Sequence, residues 1–232
     1  MTDLATPEHL GALAVTAVVA VPLVMAARRR PGAWLNVLAV ALAVAEVSWW
    51  VYLASGRGEP GQLAQPLPLQ LCDAAILVAA AALWTRNQLL AEITYFWGLA
   101  GTIQALLTPD LPQRFPSYPY FQYYLVHGGV VVSALVLVIG LRLHPRHGSV
   151  VKVAAITIAY TALVGVVDAF TGANYMYLRA KPPSPTLLDV LGPWPVYIGA
   201  AALVGVALLA VLDAPFRIRR RAVRSALPTP PR

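Results

Sequence analysis

LGALAVTAVVAVPLVMAARRR, residues 10 to 30, runs from Leu10 to Ala27 without a charge and then meets Arg28, Arg29 and Arg30. As an α-helix rising about 1.5 Å per residue, the uncharged part is about 27 Å long. That is close to the roughly 30 Å hydrocarbon core of a bilayer. A cleaved signal peptide carries its positive charge before the apolar run, and here the order is reversed, so this helix is expected to stay in the protein. The same pattern recurs six times, with approximate cores at Trp34–Ala54, Leu69–Thr85, Gln88–Leu107, Tyr120–Leu141, Val151–Thr171 and Pro195–Leu212. The composition agrees. Hydrophobic residues make up 59% and charged residues 12%, about half the roughly 25% charged content of a soluble chain. The predicted fold is all-α: a polytopic transmembrane bundle of seven spans. It forms one domain over residues 1–213, followed by a basic tail, 214–232, read as disordered.

Charge gives the direction. With the N-terminus outside, Arg28, Arg29, Arg30, Arg86, Arg142, Arg146, Lys152 and the six arginines from Arg217 to Arg232 all fall on the cytoplasmic side. Only Arg57, Arg114, Arg179 and Lys181 of the 17 basic residues fall outside. This positive-inside asymmetry predicts an N-out, C-in topology, and a missed or invented span would scramble it. A net charge of +7 would suggest nucleic acid in a soluble protein, but here the charges sit at helix ends and in the tail, so no nucleic-acid partner is expected. The tail reads as a topology anchor near anionic lipid. A single cysteine excludes a disulfide framework, a Cys-rich zinc site and an iron–sulfur cluster. The chain carries no haem, nucleotide or P-loop motif, so no cofactor is expected. Nor is there an internal repeat of the kind found in transporters built from inverted halves.

The outer loops, 56–68, 108–119 and 172–194, are rich in Pro, Gly and Tyr, whereas the inner links 28–33 and 86–87 are short. Long loops on a helical scaffold are where function concentrates.

Ionisable groups inside a bilayer cost roughly 2.5–3.5 kcal/mol on insertion scales, so each needs an account. In the predicted topology Cys72 lies about one turn below the outer surface and His127 about two. Glu46 lies about two turns below that surface, and Gln104 and Asp168 about one. Gln70, Asn174, Tyr175 and Tyr177 sit at or just above the same level. These residues form one polar layer in the outer half of the membrane, and only Glu92 falls clearly on the cytoplasmic side. Each polar group by itself reads as interhelical glue, but glue need not collect at one depth.

Cys72 alone reads as a small buried hydrophobe. With His127 at a similar depth it fits a chemical need: a thiol attacks as thiolate, and an imidazole can take its proton and return it to a leaving group. Asp73, about 100° around the helix from Cys72, can orient His127 from the side or bond to Gln70. Tyr123 and Tyr124, one turn before His127, can fix its tautomer or belong to an interfacial aromatic belt. Gly128 and Gly129, beside His127, can admit a ligand or permit close helix packing, and packing is the preferred reading. His9, His144 and His147 fall outside the layer or at opposite faces, so no metal site is expected. Glu46, Asp73, His127 and Asp168 are also residue types of proton or ion relays, yet below the layer only Glu92 continues such a path.

Several motifs carry a resemblance. Pro-Leu-Gln-Leu-Cys-Asp at 68–73, Tyr95-Phe96-Trp97-Gly98 and Gln104-Ala105-Leu106-Leu107-Thr108-Pro109-Asp110 occur in order. His127-Gly128, Asn174-Tyr175-Met176-Tyr177 and Gly192-Pro193-Trp194-Pro195 follow them. From the second helix onward the chain resembles the YwaF-like family of bacterial integral membrane proteins. That family is similar to animal transmembrane protein 164, an acyltransferase that remodels ether phospholipids with a cysteine and a histidine. The resemblance implies Cys72 and His127 as the catalytic pair, membrane phospholipids as partners and the bacterial cytoplasmic membrane as location. Asp73 after the cysteine departs from what is expected of the animal proteins.

Three readings follow. The first is a Cys/His acyltransferase or lipid hydrolase acting on phospholipid esters through an acyl-thioester. In it Cys72 is nucleophile, His127 base and acid, Asp73 or Asp168 the orienting group, and Gln70, Gln104 and Asn174 oxyanion donors. The second is a non-catalytic binder or transporter of a small polar or lipid-like solute, with Glu46 or Asp168 facing a cationic group. The third is a helper subunit using its loops and tail.

Overall fold

The computed structural model describes residues 6–109, 111–182 and 186–225, with the side chains of 221–225 excepted. Among these residues every regular element is helical. Seven long helices follow one another: α1, Pro7–Arg29; α2, Trp34–Ala54; α3, Leu71–Thr85; α4, from Gln88 to Leu107; α5, Tyr118–Gly140; α6, Ser149–Thr171; and α7, Val196–Ser225. Their positions match the seven apolar segments of the sequence. Five are long and apolar enough to cross a membrane: α1, α2, α5, α6 and the Val196–Arg220 part of α7. Helix α3 has 15 residues, and α4 is interrupted by a π-helical stretch at Trp97–Thr102. The chain is a multi-pass helical membrane protein.

Local chemistry sets the helix ends. Thr6 caps α1, its hydroxyl accepting from the backbone N–H of His9 at 3.3 Å, with Pro7 at the first helical position. Asn87 caps α4 by accepting from the N–H groups of Leu89 and Leu90 at 2.9 and 3.2 Å. Helix α6 lies between Gly148 and Gly172, whose φ values of 82° and 77° place both in the left-handed region that favours glycine.

Bonds between elements show that the helices alternate in direction. At one end Tyr120, at the start of α5, donates to the Glu8 carbonyl of α1 at 2.6 Å, and Ser48 near the end of α2 meets the Tyr118 hydroxyl at 2.8 Å. At the other, arginine-rich end, Arg86 after α3 donates to the Gly32 carbonyl at 3.5 Å, and Gln88 of α4 donates to the His144 carbonyl at 2.9 Å.

Helix α5 is the centre of the bundle. Residues making up 67% of its most apolar window are buried, against 11% for α1 and 17% for α6 and α7. Glycines let neighbours approach it. A Cβ on Gly98 of α4 would lie 3.3 Å from Val130 Cγ1 and 3.4 Å from Ala134 Cβ. A Cβ on Gly128 would meet Thr16 of α1 at 2.9 Å, and one on Gly129 would meet Leu42 of α2 at 2.5 Å. The packing reading of Gly128 and Gly129 therefore holds. The outward faces of the peripheral helices are apolar, with Val18, Val151, Phe170 and Leu203 all largely exposed. Water disfavours so continuous an apolar surface, and hydrocarbon does not.

The expectation of a disordered tail beginning at 214 is corrected. Helix α7 continues through Pro215 to Ser225. Arg217 and Arg220 both bond to Asp213, at 2.5 and 3.1 Å, and Arg220 also reaches the Pro145 carbonyl at 2.5 Å. These contacts carry the helix beyond its apolar part. Residues 226–232 and Asp110 lie outside the described residues.

Candidate active site

Most of the sequence-predicted polar residues meet where α3 begins. The first turn of α3 is closed by Asp73, whose Oδ2 accepts from the backbone N–H of Gln70 at 3.1 Å, the carboxylate half of a capping box. Its Oδ1 accepts from the Cys72 thiol at 3.7 Å. Cys72 is half-buried. Asp73 thus takes the Gln70 alternative and bonds to Cys72 instead of orienting His127.

Loop 172–182 is fastened onto this turn. The backbone N–H of Met176 donates to Gln70 Oε1 at 2.9 Å, and that of Leu67 donates to the Tyr175 hydroxyl at 2.9 Å. Tyr175 is buried, and its own N–H donates to Asp168 Oδ1 at 3.0 Å. The loop also holds Met176 and Tyr177 at φ values of 54° and 55°, a left-handed conformation costly for residues with a side chain. The Tyr197 hydroxyl of α7 donates to the Tyr177 carbonyl, and Trp194 Nε1 to the Leu178 carbonyl at 3.0 Å.

Glu46 lies on α2, which packs against α3. It is 1% exposed, and its Oε1 has no hydrogen-bond partner among the described residues. Asp168 is likewise fully buried with Oδ2 unpartnered.

His127 approaches from α5, which packs against α3. The imidazole is buried. Its Nδ1 lies 2.7 Å from the Tyr123 carbonyl one turn earlier, an oxygen that can only accept. Nδ1 therefore carries the proton, and in the neutral ring Nε2 keeps its lone pair. Tyr123 fixes the tautomer through its backbone, and its ring packs on the imidazole with centroids 4.1 Å apart. The hydrogen bond of Cys72 goes to Asp73 and that of His127 to Tyr123, so the two helices are neighbours while the two side chains bond elsewhere.

Two predicted donors are placed otherwise. Gln104 has an exposed side chain at the end of α4. Asn174 holds its own loop, accepting from Arg179 and Ala180 N–H groups at 2.8 and 3.1 Å and donating to the Ala180 carbonyl at 2.9 Å.

Two residues were missed. Tyr160 of α6 donates to the Leu69 carbonyl at 3.1 Å, one residue before Gln70. A hydroxyl-bearing ring in mid-span, away from any interfacial belt, was the available signal. His9 is buried, with Nδ1 2.8 Å from the Tyr124 hydroxyl. Nothing in the sequence tied His9 to α5. Among the described residues no three of His, Cys, Asp and Glu converge as a metal site.

Fold and site together define a multi-pass helical membrane protein with a polar, thiol-bearing cluster at the end of the bundle opposite its arginine-rich end. The sequence model of the TMEM164 family matches residues 4–213, and the chain belongs to that family. It is also similar to an uncharacterized protein of Treponema pallidum (strain Nichols), 29% identical over 158 residues. The match covers 65% of this chain and 62% of the relative, so it spans less than two thirds of that protein's length. No solved structure matches.

Proposed function

We propose that the protein is a membrane-embedded Cys/His acyltransferase, or a related hydrolase, acting on phospholipid esters. The observation that carries the reading is the tautomer of His127: Nδ1–H on the Tyr123 carbonyl leaves Nε2 as a base, on the helix packed against the one that bears Cys72. In the reaction Nε2 takes the thiol proton and sulfur attacks the ester carbonyl. Collapse of the tetrahedral adduct breaks the C–O bond, and the departing alkoxide takes the proton from His127. A hydroxyl acceptor, or water, then gives its proton to Nε2 and attacks the thioester, releasing Cys72. Rotation of the Cys72 side chain away from Asp73 precedes the first step. The proposed location is the bacterial cytoplasmic membrane, with the arginine-rich end inward.

The test is intact mass spectrometry of purified protein incubated with mixed bacterial phospholipids. An added fatty-acyl mass, absent in Cys72→Ala and in His127→Ala, is the expected result. Lipid turnover that is undiminished in a well-folded Cys72→Ala variant removes the proposal.

One observation favours a second reading, a binder of a cationic or polar solute: the buried, unpartnered Oε1 of Glu46. Under that reading Glu46→Gln weakens ligand retention more than Cys72→Ala does.

A further inference from the structure

At the arginine-rich end, far along α5 from His127, the helices leave a cleft of about 290 Å³. Three of its lining residues are arginines from three elements: Arg28 at the end of α1, Arg142 just after α5 and Arg219 in α7. Among the described residues none of the three meets a carboxylate. The carboxylates at this end are already engaged, Glu92 by Arg146 at 2.8 Å and Asp213 by Arg217 and Arg220. Three exposed positive side chains lining one cleft favour an anion there.

Arg142 closes the C-terminal end of α5. Arg142 has φ 58°, in the left-handed region. It is flanked by bonds from Leu141 N–H to the Val136 carbonyl at 2.8 Å and from Leu143 N–H to the Leu137 carbonyl at 3.0 Å. The His144 ring packs on Phe216, centroids 5.4 Å apart, and closes one side. Burial first, then the charges of Arg219 and Arg142, hold His144 below its ordinary pKa. A second cleft of about 460 Å³ adjoins it, sharing His144, Phe216 and Arg219.

The remaining wall is apolar. Val138 is buried, and Ile139 is 46% exposed on the outward face of α5. A guanidinium cluster recognises phosphate through paired N–H groups, while an apolar wall open to the bilayer suits an acyl chain. A soluble phosphate would have no use for Ile139. We propose that Arg28, Arg142 and Arg219 form a site for the phosphate of an anionic phospholipid, distinct from the Cys72 cluster.

The test uses the full chain, purified and delipidated in detergent, titrated with phosphatidylglycerol or phosphatidylcholine and read by native mass spectrometry. Phosphatidylglycerol is expected to bind at least about tenfold more tightly than phosphatidylcholine. The triple variant Arg28→Gln, Arg142→Gln, Arg219→Gln is expected to lose that preference, and millimolar inorganic phosphate or glycerol 3-phosphate to displace no lipid. Equal binding of the two lipids, or an unchanged preference in the triple variant, overturns the proposal. Displacement by the soluble phosphates overturns the lipid assignment and makes the ligand a free phosphate compound. Should the triple variant fail to fold, Arg219→Gln alone, at an exposed position, is expected to weaken phosphatidylglycerol binding about threefold, and no change there overturns the proposal equally.

Discussion

The Asp73 carboxylate bridges a thiol and a helix cap: Oδ1 accepts from Cys72 at 3.7 Å while Oδ2 accepts from the Gln70 N–H at 3.1 Å. One side chain thereby fixes the start of α3 and the position of its cysteine. Asp73→Ala removes both acceptors and is expected to destabilise the protein by about 1 kcal/mol, the usual worth of a helix-end side-chain bond. Asp73→Asn keeps an oxygen for Gln70 and is expected to cost about half as much. Unfolding of both variants in one detergent checks the order.

Gln70 holds loop 172–182 through its side-chain oxygen and the N–H of Met176. Gln70→Ala is expected to raise hydrogen exchange at the Met176 amide by about fivefold, matching loss of a bond worth about 1 kcal/mol. Gln70→Glu retains an acceptor and is expected to leave exchange slow. Equal exchange in all three proteins would show that the other ties hold the loop unaided.

Close helix approach at Gly140 is the basis of a steric prediction. A Cβ there would sit 2.7 Å from Ala27 Cβ and 3.2 Å from the Val24 carbonyl, so Gly140→Ala pushes α1 from α5 at a cost of about 1–3 kcal/mol. Gly11, inside α1, has nothing within 4 Å of its Cβ position. Gly11→Ala is expected to be neutral or stabilising by up to about 1 kcal/mol. Thermal unfolding of the two variants separates crowding from helix propensity.

Glu92 is fully buried and accepts from Arg146 at its backbone N–H, Nε and Nη2, at 2.9, 2.8 and 3.1 Å. Arg146→Ala leaves that carboxylate without its cation and is expected to destabilise the protein. The double variant Arg146→Leu, Glu92→Leu is expected to recover most of the loss, because no uncompensated charge stays buried. A double-mutant cycle in detergent reads the difference.

His144 lies outside the spans, and its pKa is held below the ordinary 6.5 by burial and then by Arg219 and Arg142. Its neutral form is favoured in the folded protein, so the unfolded chain binds the proton more readily in the window below that value. Stability is expected to fall as pH drops through about 6.5 toward the lowered folded-state pKa. His144→Gln is expected to flatten that part of the profile, measured as unfolding midpoint between pH 7.5 and 5.

Apolar run length and arginine position made the seven helices legible, because a bilayer enforces both. The turn from α to π geometry at Trp97 and at Val136 was not. It comes with the packing of α4 on α5, at contacts such as Gly98 on Val130, and no residue type announces it. The end of α7 was misread for a related reason. Hydropathy stops at Leu212, but Arg and Ala are good helix formers, and Asp213 draws two arginines onto the continuing turn. Depth alone collected Gln70, Cys72, Asp73, Glu46, Asp168 and Tyr175 into one layer. Their pairings stayed hidden because rotation about each helix axis, which decides who meets whom, leaves no mark on depth. Gln104 shows the converse, a polar residue at the right depth whose side chain faces outward.

Loop 172–182 lies across the start of α3, stitched to Leu67, Gln70 and Asp168. A molecule approaching Cys72 from the aqueous side would have to part those stitches, whereas a phospholipid, the substrate class proposed above, would come from the bilayer. Occupancy of the thiol cluster would then follow the mole fraction of the ligand among the surrounding lipids, and dilution of the bulk water would leave it unchanged.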